Sequence, residues 1–209
     1  MSSLCGPTMF GKRLSRAFTT SAVSSTDNVV WVMKARRSGS RGAIVATSSQ
    51  YAATSFVLTE FDNLNVIPIG IDEASYAEPE SQVRSEITSK YGRDYFFFIG
   101  MLRYYKGLHI LLDACKEQDF RVVIAGTGPE EKALKEKAKA NGLSNVEFIG
   151  RVSDEEKIAL IDNSLAMAFP SHLRSEAFGV TLVEGLMRGK PLISAEVGTG
   201  TSYVNSHGE

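Results

Sequence analysis

Short apolar segments alternate with longer amphipathic segments along the second half of this chain. Five apolar runs have the length of buried strands, at Tyr95–Gly100, Arg121–Ala125, Val146–Ile149, Leu165–Phe169 and Pro191–Ser194. The segments between them predict helices at Leu108–Glu117, Glu130–Ala140, Asp154–Asp162 and Phe178–Arg188. Strands that alternate with helices indicate an α/β fold, and we predict a Rossmann-like, doubly wound parallel sheet.

The pattern before residue 93 is weaker. It predicts strands at Val29–Val32 and Ala43–Thr47, a helix at Tyr51–Thr59, an edge strand or linker at Val66–Asp72, and a helix at Glu80–Tyr91. Gly92 follows the last helix as its C-cap. We therefore divide the chain into a poorly defined or disordered leader (1–42), a transitional segment (43–92) and an α/β domain (93–209).

Composition narrows the classes of function. The chain has 209 residues, of which 43% are hydrophobic, and a formal net charge of -1. This balance gives no reason to expect nucleic acid as a partner. Cys5 and Cys115 form neither a disulfide framework nor a metal-binding cluster in the sequence. No apolar run reaches the roughly 18 residues that a membrane-spanning helix needs.

Residues 1–26 are basic, rich in serine and threonine, and contain no acid. This composition is typical of an organellar transit peptide. The alternative, which we favour, is a leader that carries no address, and the protein is then expected in the cytoplasm.

The stretch from Arg174 to Gly185 has the strongest chemical signal. We interpret it as a loop that becomes a helix, with Ser175 and Glu176 at the helix start. Glu176 and Glu184 flank that start, about 12 Å apart if all eight steps are helical. Free N–H groups and the helix dipole favour a phosphate between the two acids. Acids near a helix start also stabilise the dipole without any ligand, so the spacing alone leaves both interpretations open.

Polar loops follow the predicted strands and should meet at one edge of the sheet, where α/β proteins bind ligands. Arg103 and Lys106 are placed to bind phosphate, or they belong to a solvated basic loop. Gly128 lies in the turn 126–129, where glycines allow a ligand close to the backbone or simply form a tight turn. Glu131 stands where a dinucleotide-binding fingerprint requires its third glycine.

Three further loops are candidates. The turn 150–153, with Arg151 and Val152, suits a base that bonds to the backbone, or a plain strand-to-helix turn with a serine cap. His172 either orients a substrate or is simply exposed. The turn 198–202 is rich in backbone donors.

These motifs occur in an ordered set. A Glu-x7-Glu segment with "FG" inside it is followed by "GKP" and a glycine-rich turn, and is preceded by "YFFFIGMLRYYKG" and "VVIAGTGPE". Residues 95–209 thereby resemble the C-terminal, donor-binding domain of the glycosyltransferase group 1 family, whose members are retaining enzymes of the GT-B fold that use nucleotide-activated sugars. The stretches "ATSSQYAATS" and "VIPIGID" resemble the end of that family's N-terminal domain and its linker. The resemblance implies that residues 43–92 are a remnant of the acceptor domain and the interdomain linker.

The resemblance implies a role for each candidate residue. Glu176 is the implied catalytic residue, which holds donor sugar hydroxyls near the reacting carbon, and Glu184 binds the ribose. Arg103 and Lys106, with the amides at the helix start, neutralise the diphosphate leaving group. The turn at Arg151–Val152 borders the base. The implied donor-binding set is Arg103, Lys106, Gly128, Arg151, Val152, Phe178, Gly179, Val180 and Glu184.

The resemblance also implies the partners. The substrates are a nucleotide-diphosphate sugar and a glycan or lipid-linked acceptor, and no cofactor or metal is required because the cations and the helix end carry the charge. Membrane association, if any, is peripheral and through the acceptor domain. Three departures qualify the likeness: Met101 stands where many members have arginine, most of the acceptor domain is absent, and Glu209 ends the chain where the family continues. We therefore expect a fragment, incomplete at both ends, that transfers little by itself.

Two other classes of function stay open. A non-catalytic nucleotide-binding module would keep the same fold and Glu184 without turnover. A dinucleotide-dependent oxidoreductase is disfavoured, because the first strand ends in Gly100-Met101-Leu102 and the glycine pair at 126 and 128 lacks its third partner.

Overall fold

The computed structural model describes residues 18–25, 28–35, 44–46 and 64–66 as strands, and then residues 71–72 and 76–205. Contacts divide the chain into two units, residues 1–68 and 69–209, and each is described by itself. The sequence predicts boundaries after residues 42 and 92, and that division stays a prediction.

The described residues of the first unit form two small sheets. The strands are β1 (Phe18–Ser25), β2 (Asn28–Ala35), β3 (Ile44–Ala46) and β4 (Leu64–Val66). β1 pairs with β2 antiparallel, and β3 pairs with β4 parallel. β2 and β3 confirm the strands predicted at Val29–Val32 and Ala43–Thr47, whereas β1 lies in the predicted leader and was not expected. The helix predicted at Tyr51–Thr59 lies outside the described residues, as do residues 67–70 of the predicted edge strand or linker.

The second unit is organised around a parallel five-stranded sheet. The strands are β5 (Tyr95–Ile99), β6 (Val122–Ala125), β7 (Val146–Gly150), β8 (Ser164–Phe169) and β9 (Leu192–Ser194). Their order across the sheet is β7-β6-β5-β8-β9. The chain therefore runs outward from β5 to β7 and then returns to the other side of β5. This reversal makes a topological switch point between β5 and β8, the place where such sheets bind ligands.

Helices connect these strands. They are α1 (Ser81–Tyr91), α2 (Leu108–Ala114), α3 (Glu131–Ala140), α4 (Asp154–Asn163), α5 (Val180–Met187) and α6 (Gly200–Val204), with a 3₁₀ turn at Tyr104–Lys106. No helix in the described part of the chain is both long and apolar enough to cross a bilayer.

Each face of the sheet has its own core, because neighbouring residues of β5 point to opposite sides. Phe97 is buried with Leu160 of α4 on one face. Phe98 is buried with Leu112 of α2 and Leu134 of α3 on the other. Each fully buried side chain of this kind stabilises the fold by about 1.5–3 kcal/mol. Helices packed on both faces confirm the predicted doubly wound α/β fold.

α1 belongs to this core, although the sequence pattern assigns it to the segment before the α/β domain. Ile87 and Tyr91 are 5% and 6% exposed and lie in the same cluster as Phe97. Gly92 has φ 72°, and its N–H donates to the Thr88 carbonyl at 2.9 Å. This geometry confirms the predicted glycine C-cap.

The start of α5 differs from the prediction. The helix begins at Val180 rather than Phe178, because Gly179 takes a left-handed conformation with φ 83° and serves as N-cap. Ser175 and Glu176 lie in the preceding loop, so their predicted place at the helix start is wrong. The 12 Å span between the two acids assumed a continuous helix and does not apply.

Two other boundaries were also missed. α6 occupies part of the turn 198–202, where only a donor-rich loop was expected. α2 ends at Ala114, three residues before the predicted Glu117, which has φ 57° and so cannot continue a right-handed helix.

Candidate functional site

The loops at the carboxyl ends of β5, β6 and β7 are joined through their backbones. The Gly100 N–H donates to the Ala125 carbonyl at 3.1 Å, and the Gly126 N–H donates to the Gly150 carbonyl at 2.6 Å. A Cβ at Gly126 would lie 1.9 Å from the Gly100 carbonyl oxygen. Only glycine therefore permits this close approach, and it fixes three loops at one edge of the sheet.

Gly128 has a packing role at the same edge. A Cβ there would lie 2.4 Å from the Leu102 carbonyl oxygen. Leu102 itself donates its N–H to Thr127 at 3.0 Å and accepts from Glu130 at 3.1 Å. Backbone contacts within the fold thus explain why glycine is needed at both positions of this turn, 126 and 128, and no bound dinucleotide is required to explain them. The predicted part of Gly128 in donor binding stays a prediction.

The loops on the two sides of the switch point also touch. Gly107 has φ 68°, and a Cβ on it would lie 1.9 Å from the Pro170 carbonyl oxygen. Beside this contact, the His172 N–H donates to the Tyr105 carbonyl at 3.0 Å. The loop after β5 is therefore held directly against the loop after β8.

An ion pair bridges these two loops. Lys106 Nζ donates to Glu176 Oε2 at 2.5 Å, and the two side chains are only 13% and 10% exposed. Ser171 Oγ donates to the same oxygen at 2.9 Å. The structure thus brings together two of the predicted site residues, a cation and an acid, at the switch point. Ser171 is a partner that the sequence analysis did not identify.

The Lys106 ammonium also lies beside two aromatic rings. It is 5.0 Å from the Phe169 ring centroid and 5.3 Å from that of Tyr105, distances at which a ring face attracts a cation. Burial raises the pKa of the Tyr105 phenol, the negative charge of Glu176 raises it further, and the positive charge of Arg103 opposes both. The charges of Glu176 and Arg103 therefore act in opposite directions on the same phenol.

The second predicted acid has an environment of its own on α5. Glu184 is 5% exposed, and its Oε1 accepts from the Tyr76 hydroxyl at 2.8 Å and from Lys157 Nζ at 3.0 Å. Lys157 also pairs with Asp154 at 3.0 Å and lies 5.3 Å from the Tyr76 ring centroid. Glu184 is thus held by a phenol and an ammonium, neither of which the sequence analysis identified.

These contacts change the ionisation of both partners. Burial raises the pKa of Tyr76, and the hydrogen bond to Glu184 raises it further, to about 12. Burial lowers the pKa of Lys157, but hydrogen bonds and charge attraction from Glu184 and Asp154 outweigh it, so the net shift is upward. At neutral pH the phenol is neutral and the ammonium charged, which are the forms that donate to a carboxylate.

The N-terminus of α5 lies between the two acids in sequence. Phe178 is 5% exposed and Gly179 caps the helix, so the amide groups predicted to face phosphate belong to a well-packed turn. Thr199 Oγ1 donates to the Glu176 carbonyl at 2.6 Å, and the Gly200 N–H donates to the Ala177 carbonyl at 2.9 Å. The loop after β9 therefore fixes the backbone that carries Glu176.

Three predicted residues lie apart from these clusters. Arg103 is exposed and donates from Nε to Met101 Sδ at 2.9 Å. Arg151 is exposed just after β7, and Val152 is half-buried against the core. The next residue, Ser153, forms a capping box with Glu156, which confirms the serine cap. The predicted base-binding turn thus has a structural role, and its ligand role stays a prediction.

His172 packs in a small cluster of rings. Its centroid is 5.2 Å from that of Tyr104 and 5.1 Å from that of His109, edge to face in both cases. Burial lowers the pKa of His109, and the charge of His172 lowers it further. His172 is half-buried, so the expectation that it is simply exposed is wrong.

Within the described ranges, no group of three or more histidine, cysteine, aspartate or glutamate side chains is arranged to hold a metal ion. Lys106 places a positive charge at the switch point. Lys190 of the "GKP" motif donates instead to the carbonyls of Asp162 and Ser164 at 2.7 and 2.8 Å, and so stabilises the end of α4.

The fold and the site define an α/β domain with paired acids and lysines at the edge of a doubly wound sheet. The family model for glycosyl transferases group 1 matches residues 80–209, well over half of the chain. This protein therefore belongs to that family, as the motifs predicted. The structures that resemble it are GT-B glycosyltransferases, in agreement with the predicted fold class.

Two curated relatives are close in sequence. D-rhamnosyltransferase WbpZ of Pseudomonas aeruginosa is 54% identical over 167 residues, which are 79% of this chain and 44% of the relative. O-antigen chain mannosyltransferase C of Escherichia coli is 47% identical over 163 residues, 78% of this chain and 44% of the relative. The chain thus spans less than half the length of these relatives.

A solved structure shares the fold. Anabaena Alr3699/HepE, crystallised with UDP-glucose, matches with a TM-score of 0.66 at 24% identity, over 79% of this chain and 48% of that one. At this identity the likeness is one of fold.

Proposed function

We propose that the second unit binds a nucleotide-diphosphate sugar, and that the protein transfers the sugar to a glycan or lipid-linked acceptor with retention of configuration. The observation that carries this proposal is the buried Lys106–Glu176 pair at the switch point. A buried ion pair is destabilising unless its geometry is good. The pair lies at the sheet edge where doubly wound α/β folds generally bind ligands, and this position supports a functional role. Family membership and the UDP-glucose complex of the Anabaena structure point to the same class of substrate.

Lys106 and the start of α5 act on the leaving group in this proposal. Breaking the bond between the anomeric carbon and the phosphate oxygen leaves positive charge on the sugar and additional negative charge on the diphosphate. An ammonium and oriented N–H groups stabilise that negative charge more in the transition state than in the ground state. Arg103 adds a second cation once its exposed side chain turns from Met101 to the diphosphate. These groups supply the positive charge themselves, so the proposal requires no metal or cofactor.

The two glutamates act on the two ends of the donor. Glu176 accepts hydrogen bonds from the sugar hydroxyls near the reacting carbon, and Glu184 accepts them from the ribose. The backbone of the turn at Arg151–Val152 borders the base, and Gly128 lets the diphosphate approach the loop after β6. Carboxylates suit this task because an ionised group only accepts, and charged hydrogen bonds are the strong ones.

The relatives suggest the sugar and acceptor. One is named for D-rhamnose and the other for mannose in an O-antigen chain. D-Rhamnose is 6-deoxy-D-mannose, so both sugars have the manno configuration. We propose a manno-configured sugar and a surface polysaccharide as the acceptor, built in the cytoplasm with peripheral membrane association through an acceptor domain.

Calorimetric titration with UDP, GDP, ADP and their sugar conjugates tests the proposal. We expect one nucleoside diphosphate series to bind, and Glu184→Ala to weaken that binding by at least about tenfold. Glu136→Ala is the matched control, because Glu136 is an exposed acid on α3 whose side chain is 68% accessible. Failure of the folded chain to bind any of these compounds would contradict the donor site. Binding without transfer, even when a complete acceptor domain is supplied, would identify a nucleotide-binding module instead.

A further inference from the structure

Tyr76 reaches Glu184 from a segment far away in the sequence. The two residues are 108 positions apart, and the phenol donates to Glu184 Oε1 at 2.8 Å. Tyr76 precedes α1 and lies outside residues 80–209, the part that matches the family model. The family motif therefore includes the acid without the tyrosine that binds it.

The contact orients the carboxylate. The two hydrogen bonds that described residues donate to the Glu184 carboxylate both end on Oε1, one from Tyr76 and one from Lys157. Two donors on one oxygen fix the rotation of the carboxylate and direct the bonding capacity of Oε2 elsewhere. Because the Glu184 side chain is only 6% exposed, little water competes for this arrangement.

The segment that carries Tyr76 is itself anchored on α5. Glu78, two residues on, pairs with Arg188 at 2.6 Å, one helical turn beyond Glu184. Arg188 in turn forms two 2.7 Å hydrogen bonds with Asp162 of α4. The segment thus also contacts the C-cap residue of α5, through a pair that does not involve Glu184.

From this geometry we propose that Tyr76 is a positioning residue of the donor site. Its hydroxyl holds Glu184 Oε1, so that Oε2 accepts from the ribose hydroxyls of the bound nucleotide. This inference rests on the proposed function, because it assigns the ribose to Glu184. It adds a residue to the site that the motif does not contain.

The test compares nucleotides that have the ribose hydroxyls with nucleotides that lack them. The folded chain is titrated with whichever of UDP, GDP and ADP binds tightest, and with the 2′,3′-dideoxy form of the same diphosphate. We expect Tyr76→Phe to weaken the ribose form by about tenfold, since it removes one hydrogen bond to a charged group. It should leave affinity for the dideoxy form unchanged, because the ring and its packing on Lys157 are retained.

Two control variants separate orientation from loosening. Glu78→Gln weakens the anchor of the same segment without touching Glu184, and Tyr203→Phe changes an exposed tyrosine that is 59% accessible. Both should bind the ribose and dideoxy forms as the unaltered chain does. An equal loss for both forms in Tyr76→Phe, or the same loss in Glu78→Gln, would overturn the positioning role.

The two proposals fail in different ways. A Tyr76→Phe chain that binds both forms like the unaltered one removes the inference and leaves the donor site intact. An unaltered chain that binds no nucleoside diphosphate removes both.

Discussion

Glu176 and Glu184 belong to the same short segment and are bound in the same way by different parts of the fold. Each is buried, and each accepts from one lysine and one hydroxyl at a single carboxylate oxygen. The partners of Glu176 are Lys106 and Ser171, on the two loops that flank the switch point. The partners of Glu184 are Lys157, on a helix, and Tyr76, in the segment before α1.

This difference shows how much each acid depends on long-range structure. The first site is built by loops that glycine contacts fix against one another, such as Gly107 on Pro170. The second is built on a helix face, and its lysine is shared with Asp154. The two acids therefore accept from the same types of group. Contacts between backbone atoms position the partners of Glu176, whereas side-chain contacts position the partners of Glu184. Four predictions test the comparison, from the largest expected effect to the smallest.

Removing the lysine of the first site should have the largest effect. Lys106→Met leaves Glu176 buried beside Ser171 alone, and breaking a buried pair in this way costs about 3–5 kcal/mol. Urea unfolding at pH 7 measures the loss. Lys106→Met combined with Glu176→Gln should recover most of it. Lys132→Met, at a lysine that is 88% exposed, should change the free energy of unfolding by less than about 0.5 kcal/mol. A loss in Lys106→Met as small as in this control would show that the pair contributes little.

Exchanging each acid for its amide separates the two ends of the donor. We expect Glu184→Gln to weaken binding of a nucleoside diphosphate and of its sugar conjugate by about tenfold alike. Glu176→Gln should weaken only the sugar conjugate. Calorimetry of both ligands with both variants provides the four affinities. The same pattern of loss in both variants would erase the functional distinction between the acids.

Ser171 tests the weaker partner of the first site. Ser171→Ala should lower the free energy of unfolding by about 1 kcal/mol, the usual contribution of one hydrogen bond. The same change should have a smaller effect in a chain that already carries Glu176→Gln, because the acceptor is then uncharged. Equal effects in the two backgrounds, measured by urea unfolding, would show that the hydroxyl stabilises something other than the carboxylate.

Tyr76 makes the second site sensitive to alkali. Its pKa is raised from 10.0 to about 12 in the folded chain. The folded state therefore holds the phenol proton more tightly than the unfolded state. The contribution of this phenol to the free energy of unfolding is complete below about pH 10 and is lost as the pH rises through about 12. The absorbance of tyrosinate at 295 nm, compared between the unaltered chain and Tyr76→Phe, should show one phenol that ionises late. A difference titration centred near the ordinary tyrosine value would contradict the contact.

The sequence predicted the sheet and most helices, because apolar runs and amphipathic spacing are local signals. The α5 start was wrong because nothing in the local pattern shows that Gly179 adopts φ 83°. The spacing of the two acids in the sequence identified both of them, but only some of the side chains that bind them were predicted. Lys157 and Tyr76 lie 27 and 108 positions from Glu184, and no motif links residues so far apart. Lys106 was found because strand ends gather in a parallel sheet.

The glycine contacts at the sheet edge have a consequence for how such a protein diversifies. The loops there are joined by main-chain atoms, as in the 2.6 Å bond from the Gly126 N–H to the Gly150 carbonyl. Bonds of this kind depend on the glycines, but not on the side chains that the rest of each loop carries. Exposed side chains such as those of Arg103 and Arg151 can therefore change without disturbing the scaffold, so the surface of this edge can vary while the architecture is inherited unchanged.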